Sequence, residues 1–195
     1  MISVEAAASV RAAAHRVREM RIDGVTDVVP ASTSFAVYFD DAGDRFDTIV
    51  RDVHPALVSA GTTHVGESRL VRIPVIYDGP DIAEVAERTG LTVSDVVERH
   101  SSRSYHAYMS GFVPGFTYLG DLDPALVLPR RSDPRVRVPA GSVAIAGEQT
   151  AVYPLDTAGG WHLIGRTSLV MFDAGRLEPA LVRAGDTVRF VPVQG

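Results

Sequence analysis

Between Pro129 and Thr167 the chain gathers residues able to hold a small anion, but few able to act as acid, base or nucleophile. Arg130, Arg131, Arg135 and Arg137 crowd the run PRRSDPRVRVP, where prolines stiffen the backbone and each guanidinium offers forked donors matched to a carboxylate or phosphate. A solvated loop balanced by Asp133 is the competing reading of that run. Arg166, near the end of GGWHLIGRT, is comparably placed, with Thr167 as a neighbouring hydroxyl. The corner Gly147-Glu148-Gln149-Thr150 adds turn N–H groups and the Gln149 amide, oriented donors of the kind that hold a carboxylate or amide ligand. Phe116, Tyr118 and Trp161 are core or pocket wall. His162 is a candidate acid or base near neutral pH, with a water-facing strand residue as its alternative.

Absences narrow the chemistry. All nineteen basic residues are arginine, so a Schiff-base lysine, a Walker-type phosphate-binding lysine and a biotin-bearing lysine are excluded for this chain. There is no cysteine, which removes disulfides, thiolate metal sites and a thiol nucleophile together. The six histidines, His15, His54, His64, His100, His106 and His162, fall in no metal-binding spacing, and no metal is expected. No nucleotide-binding glycine motif and no G-x-S-x-G elbow occurs. A net charge of −5 argues against nucleic acid as a partner. From Arg103 to Arg166 six arginines meet five acids, against thirteen and nineteen in the remainder, a balance that suits a small anionic ligand better than a polyanion. The start, Met1-Ile2-Ser3-Val4-Glu5, lacks a signal-peptide pattern, and no run approaches the ~20 apolar residues needed to span a bilayer. The expectation is a soluble, cytoplasmic protein with no membrane partner.

The elements that must position these residues fall in two groups. Ser3 to Met20 carries apolar residues at helical spacing and ends at Gly24. Val25–Val29 and Phe35–Phe39 read as a strand pair, and Arg45 to Ser59 as a helix that Pro55 should break or kink. Ala60–Ser68 is the expected boundary, giving an α+β domain over residues 1–66 and a second domain over 67–195. In the second, Leu70–Tyr77 alternates as a strand that Pro74 places at an edge or bulge. A short helix follows over Asp81–Arg88, ending at Gly90. The next helix, to His100, has a capping box in Thr92 and Asp95 and a hydrophobic staple in Leu91 and Val96. Strands are then expected at Tyr105–Ser110, Ser142–Ala146, Thr150–Tyr153, Trp161–Ile164, Leu169–Phe172 and Thr187–Val193, a pattern that suggests a small barrel.

GFVPGFTYLGDLD, the run from PRRSDPRVRVP to GGWHLIGRT and the closing AGDTVRFVPV resemble the KipI/PxpB family, also called allophanate hydrolase subunit 1 or carboxyltransferase subdomains C and D. The resemblance implies a small N-terminal α+β domain followed by a cyclophilin-like β-barrel. It implies a heteromer with a KipA/PxpC-like subunit and a third LamB/YcsF-type (PxpA-like) component, hydrolysing 5-oxoproline with ATP used at the level of the complex. Within the family the alternatives are a KipI-like histidine-kinase inhibitor and the carboxyltransferase module of a biotin-dependent urea carboxylase. On the first of these readings, Arg130, Arg131, Gln149 and Arg166 help hold a small carboxylate or amide substrate or a phosphorylated intermediate. Family members usually open with a strand of the type GDRALLVEFG, whereas this chain starts almost at the first helix, so an exposed edge is expected in the N-terminal sheet.

Overall fold

The computed structural model describes residues 4–40, 45–58 and 68–195. Cα packing divides the chain into two compact units, Ile2–Glu67 and Ser68–Gly195. Most of the expected boundary, residues 60–67, lies outside the described residues.

In the first unit, helix α1 (Val4–Glu19) and helix α2 (Phe46–Val58) share a core with the antiparallel strands β1 (Val25–Pro30) and β2 (Phe35–Phe39). Ala14, Val17, Val28, Ile49, Val53 and Ala56 are buried together there. The Arg18 guanidinium donates to the Val28 carbonyl. Pro55 does not break α2, which runs on to Val58, so of the two expected outcomes the break does not occur. Val53 and Ala56, on either side of it, are both buried, and their burial offsets the backbone hydrogen bond that a proline cannot make. Among the described residues the sheet of this unit has two strands, and a hollow of ≈570 Å³ with an almost wholly apolar lining lies between β2 and the two helices.

The second unit is organised around a seven-stranded sheet. Its strands are β3 (Leu70–Val75), β4 (Tyr105–Ser110), β5 (Thr117–Gly120), β7 (Ser142–Ala146), β8 (Gln149–Val152), β10 (His162–Arg166) and β11 (Thr187–Pro192), in the order β10-β7-β8-β5-β4-β11-β3. Every pairing is antiparallel except β11 with β3. The sheet curls until its two outer strands meet. Beyond β3, Ile76 exchanges two 2.9 Å backbone hydrogen bonds with Arg166 of β10, producing a nearly closed barrel. Glycine permits that seam: a Cβ at Gly165 would lie 2.6 Å from the Ile76 carbonyl, and one at Gly79 would overlap the Leu163 carbonyl.

Helices α3 (Ile82–Thr89) and α4 (Val93–Ser101) pack on this sheet. The capping box of α4 forms as its sequence predicts: Asp95 N–H donates to Thr92 Oγ1 at 3.1 Å, and Thr92 N–H to Asp95 Oδ2 at 2.9 Å. Gly90 stops α3 in the left-handed region at φ 69°, where glycine carries no Cβ penalty. A second strand pair, β6 (Arg135–Val138) with β9 (Thr157–Gly159), and the strand β5 were not anticipated from the sequence. Leu169–Phe172, expected as a strand, forms only a bridge between Phe172 and Ala180. The facing segment contains Pro179, which has no N–H to extend a ladder.

Alternation along β7, β8 and β10 feeds two cores. Val143, Ile145, Val152 and Ile164 join the inner core with Ile73, Val75, Tyr105 and Phe190. Ala144, Ala146, Ala151 and Leu163 join an outer core with Phe116, Val138, Tyr153 and Trp161. Burial on both faces is why SVAIA reads as a continuous apolar run.

Candidate functional site

The outer core is the best-built concentration of candidate residues. Phe116 is its hub: Phe112, Tyr118, Tyr153 and Trp161 all meet it edge to face, with ring centroids 5.5, 4.9, 5.3 and 5.6 Å away. Alanines at 144, 146 and 151 leave room for these rings against the sheet. Phe112, in the loop before β5, has φ 72° and stays 60% exposed, so the cluster runs from a sealed centre to a solvent edge. Phe116 and Trp161 are buried, while Tyr118 is half-buried.

Beside this wall lies the arginine run, fixed from several directions. Arg131 donates its backbone N–H to the Gly160 carbonyl at 2.8 Å, and its guanidinium to Asp81 at 3.1 Å and Glu84 at 2.8 Å. Arg135 reaches the same Asp81 oxygen at 2.6 Å, while the other Asp81 oxygen accepts the Leu163 N–H at 2.7 Å. Asp81, 3% exposed, therefore ties α3, β6, β10 and the Arg131 loop to one carboxylate. Burial alone would push that carboxyl up, but the hydrogen bonds from Arg135 and Leu163 and the charges of Arg135 and Arg131 outweigh it and hold it below the usual carboxylate range. Nothing local in the sequence announces Asp81; its partners lie 50 to 82 residues away.

The other candidates separate by position along β10. His162 begins that strand opposite Ile145, near the β7–β8 corner, whereas Arg166 ends it opposite Ser142. Pro129, Arg131, Gly147, Gln149, Trp161 and His162 thus gather at one end of the sheet, and Arg166 and Thr167 lie at the other. His162 is fully buried, which overturns the water-facing alternative; its Nε2 donates to the Pro129 carbonyl at 2.9 Å. Gly147 takes φ 56° in the corner and donates its N–H to the Leu128 carbonyl at 2.7 Å. Thr150 is turned inward, its hydroxyl donating to the Ala144 carbonyl at 2.9 Å. Arg166 pairs with Asp78 at 2.8 Å, and Thr167 Oγ1 accepts the Leu169 N–H at 3.3 Å. Arg137 is paired with Asp156. Arg130 is exposed, with no carboxylate in salt-bridge reach among the described residues.

The family described as the carboxyltransferase domain, subdomain C and D, matches residues 1–182. The chain belongs to that family. It is 40% identical over 94% of its length to a Bacillus subtilis protein named as a 5-oxoprolinase subunit, covering 82% of that protein. A protein of the same name from Escherichia coli O157:H7 is 58% identical over 65% of the chain and 59% of its own length. Among solved structures, TTHA0988 superposes at a TM-score of 0.87 with 38% identity over the whole chain, which spans 38% of that longer protein. The Kluyveromyces lactis urea carboxylase matches at a TM-score of 0.77 and 17% identity, covering 100% of this chain and 20% of that one, a likeness of fold alone.

Burial pushes the Tyr153 phenol up, against the pull of the Trp161 backbone hydrogen bond and the nearby Arg130 charge. His162 is fixed to a carbonyl, and the nearby carboxylates Asp81 and Glu84 are clasped by Arg131, with Arg135 also on Asp81. Among the described residues no group of three or more His, Asp or Glu side chains is arranged to hold a metal ion, and no helix is long and apolar enough to cross a membrane.

Proposed function

We propose that this chain is the small subunit of a heteromeric 5-oxoprolinase-type, ATP-dependent amide hydrolase, acting with a KipA/PxpC-like subunit and a LamB/YcsF-type third component. The observation that carries this reading is 40% identity across 94% of the chain to a protein named as a 5-oxoprolinase subunit. The geometry is in keeping with a binding role. Arg130, Gly147 and Gln149 stand at the same end of the sheet as the aromatic wall, while His100 is sealed in the inner core and His162 is committed to a carbonyl. On this reading ATP serves the assembled complex, this chain holds no metal, and the lactam is opened by groups that its companions supply. A chain without cysteine suits the reducing cytoplasm, where we place it.

Reconstitution tests the proposal: combine the chain with its KipA-like and LamB/YcsF-type companions and measure ATP hydrolysis with and without 5-oxoproline. Stimulation by 5-oxoproline that requires all three components is expected. ATP hydrolysis indifferent to 5-oxoproline rejects the reading.

A further inference from the structure

Arg130 stands apart from the other arginines of this stretch in its charge partners. Of the five arginines between Tyr105 and Thr167, four are committed: Arg131 and Arg135 to Asp81, Arg137 to Asp156 and Arg166 to Asp78. Arg130 alone has no acid in reach among the described residues, although both its neighbours are held fast. On one side the Pro129 carbonyl accepts from the buried His162 ring; on the other the Arg131 backbone is bonded to Gly160, next to Trp161, and its guanidinium is clasped by Asp81 and Glu84. A flexible surface arginine loses side-chain and backbone freedom when it binds an anion, and here the backbone part of that loss is already met by folding. The Pro129–His162 and Arg131–Gly160 bonds, from the residues on either side of Arg130 to those on either side of Trp161, set the Arg130 backbone alongside Trp161 of the aromatic cluster. Tyr118, in the same cluster and half-buried, carries a hydroxyl with no hydrogen-bond partner among the described residues. A fork of free donors beside aromatic faces matches a small organic acid: a carboxylate for the guanidinium and a compact apolar body for the rings.

We propose that Arg130 is the carboxylate-reading group of a small-acid site on the outer face of the barrel, with the half-buried Tyr118 against the body of the ligand and Trp161 behind it, its ring centroid 5.9 Å from that of Tyr118. Arg131, Asp81 and His162 are positioning residues: they hold the loop on which Arg130 stands and do not touch the acid. This inference rests on the 5-oxoprolinase reading for the identity of the acid, but not for the existence of the site.

The test has two arms. In the reconstituted complex, Arg130→Gln raises the KM for 5-oxoproline at least about tenfold and leaves the KM for ATP unchanged, because one charge-assisted contact is lost. Arg176→Gln, which removes an exposed pair with Asp173 at 3.2 Å, changes neither by more than about twofold. An unchanged KM for 5-oxoproline in Arg130→Gln overturns the proposal while leaving the proposed function standing. Should the complex hydrolyse ATP without regard to 5-oxoproline, the second arm decides. Trp161 is the only tryptophan of the chain, so its fluorescence reports on this wall directly. Titration of the full chain with 5-oxoproline, and with 2-pyrrolidinone as the same ring lacking the carboxylate, gives a saturable change at least about tenfold stronger for the acid, and Arg130→Gln abolishes that preference. Absence of a saturable response, or a preference that survives in Arg130→Gln, overturns the site.

Discussion

Two histidines, each 0% exposed, are treated differently. His100, in the inner core, has both ring nitrogens engaged: Tyr77 Oη lies 2.7 Å from Nδ1 and Thr150 Oγ1 2.9 Å from Nε2. The Thr150 hydroxyl donates to Ala144, so it accepts from His100, which places the proton on Nε2 and makes Nδ1 the acceptor of the Tyr77 hydroxyl. Tyr105 closes the network on the His100 carbonyl at 2.7 Å. Around His162, by contrast, satisfaction is incomplete. Its Nδ1, Nε of Arg131 and Nη1 of Arg135 are all buried without a hydrogen-bond partner. A closed network specifies a core. The partly open one lies around the loop that carries the exposed Arg130, and its unpaired nitrogens are a cost in stability.

The largest effect is expected where the outer face is anchored. Asp81→Asn leaves Arg131 and Arg135 facing a neutral side chain and weakens the acceptor of the Leu163 N–H, a loss of about 3 kcal/mol by analogy with breaking a buried pair. Urea denaturation checks it, and a loss below about 1 kcal/mol would show that the arginines do not depend on this carboxylate.

Acid should act on the inner histidine next. Burial lowers the His100 pKa to about 3, so the folded state holds this ring neutral while the unfolded chain binds a proton below about 6.5. With the folded pKa depressed, the unfolded state binds more protons between those values. Stability contributed by His100 is therefore intact above about pH 6.5 and falls as pH drops toward 3, by about 2 kcal/mol at pH 5. His100→Gln should flatten that slope in melts between pH 6.5 and 4.5; the same slope in the variant would break the assignment. The Asp81 carboxyl, held below its ordinary value, adds a loss only at lower pH.

Much of the frame was legible because its signals are local. The Thr92–Asp95 capping box, the Gly90 stop and the two strands of the N-terminal unit all arise from side chains within a few residues of one another. The segments that escaped notice depend on distant partners. β6 pairs with β9 about twenty residues later, and the alternation of its four residues marks no single buried face, since Val138 is buried while Val136 is 92% exposed. Pro55 misled for the converse reason, since a local breaker was overridden by burial that only the folded unit supplies. At the candidate site the arginines were visible as donors, yet the sequence could not tell a free guanidinium from a committed one. That distinction lies in Asp78, Asp81, Glu84 and Asp156, at 19 to 88 residues' separation.

A direct comparison of the two histidines sharpens the contrast at smaller magnitude. His100→Leu strands the Tyr77 hydroxyl and removes the donor to Thr150, which keeps its bond to Ala144, about 2 kcal/mol in total, whereas His162→Leu strands one carbonyl at Pro129 and removes an already unpaired nitrogen, about 1 kcal/mol. Equal losses in chemical denaturation would mean that the two networks are energetically alike despite their geometry.

The smallest effect is expected at the exposed pairs. Arg166 and Asp78 meet at 2.8 Å, but their side chains are 61% and 46% exposed, so water and salt screen most of the attraction and two long side chains must be ordered to realise it. Arg137 and Asp156, at 77% and 43%, are in the same position. Arg166→Gln and Arg137→Gln should each leave the urea midpoint nearly unchanged, with any shift shrinking further at 1 M salt. A larger, salt-resistant loss in Arg166→Gln would show that the barrel seam at Ile76 and Arg166 leans on this ion pair. Failing that, the seam is held by its backbone bonds and by the close approach that Gly79 and Gly165 permit, and the guanidinium at that end of β10 is only a solvated partner of Asp78.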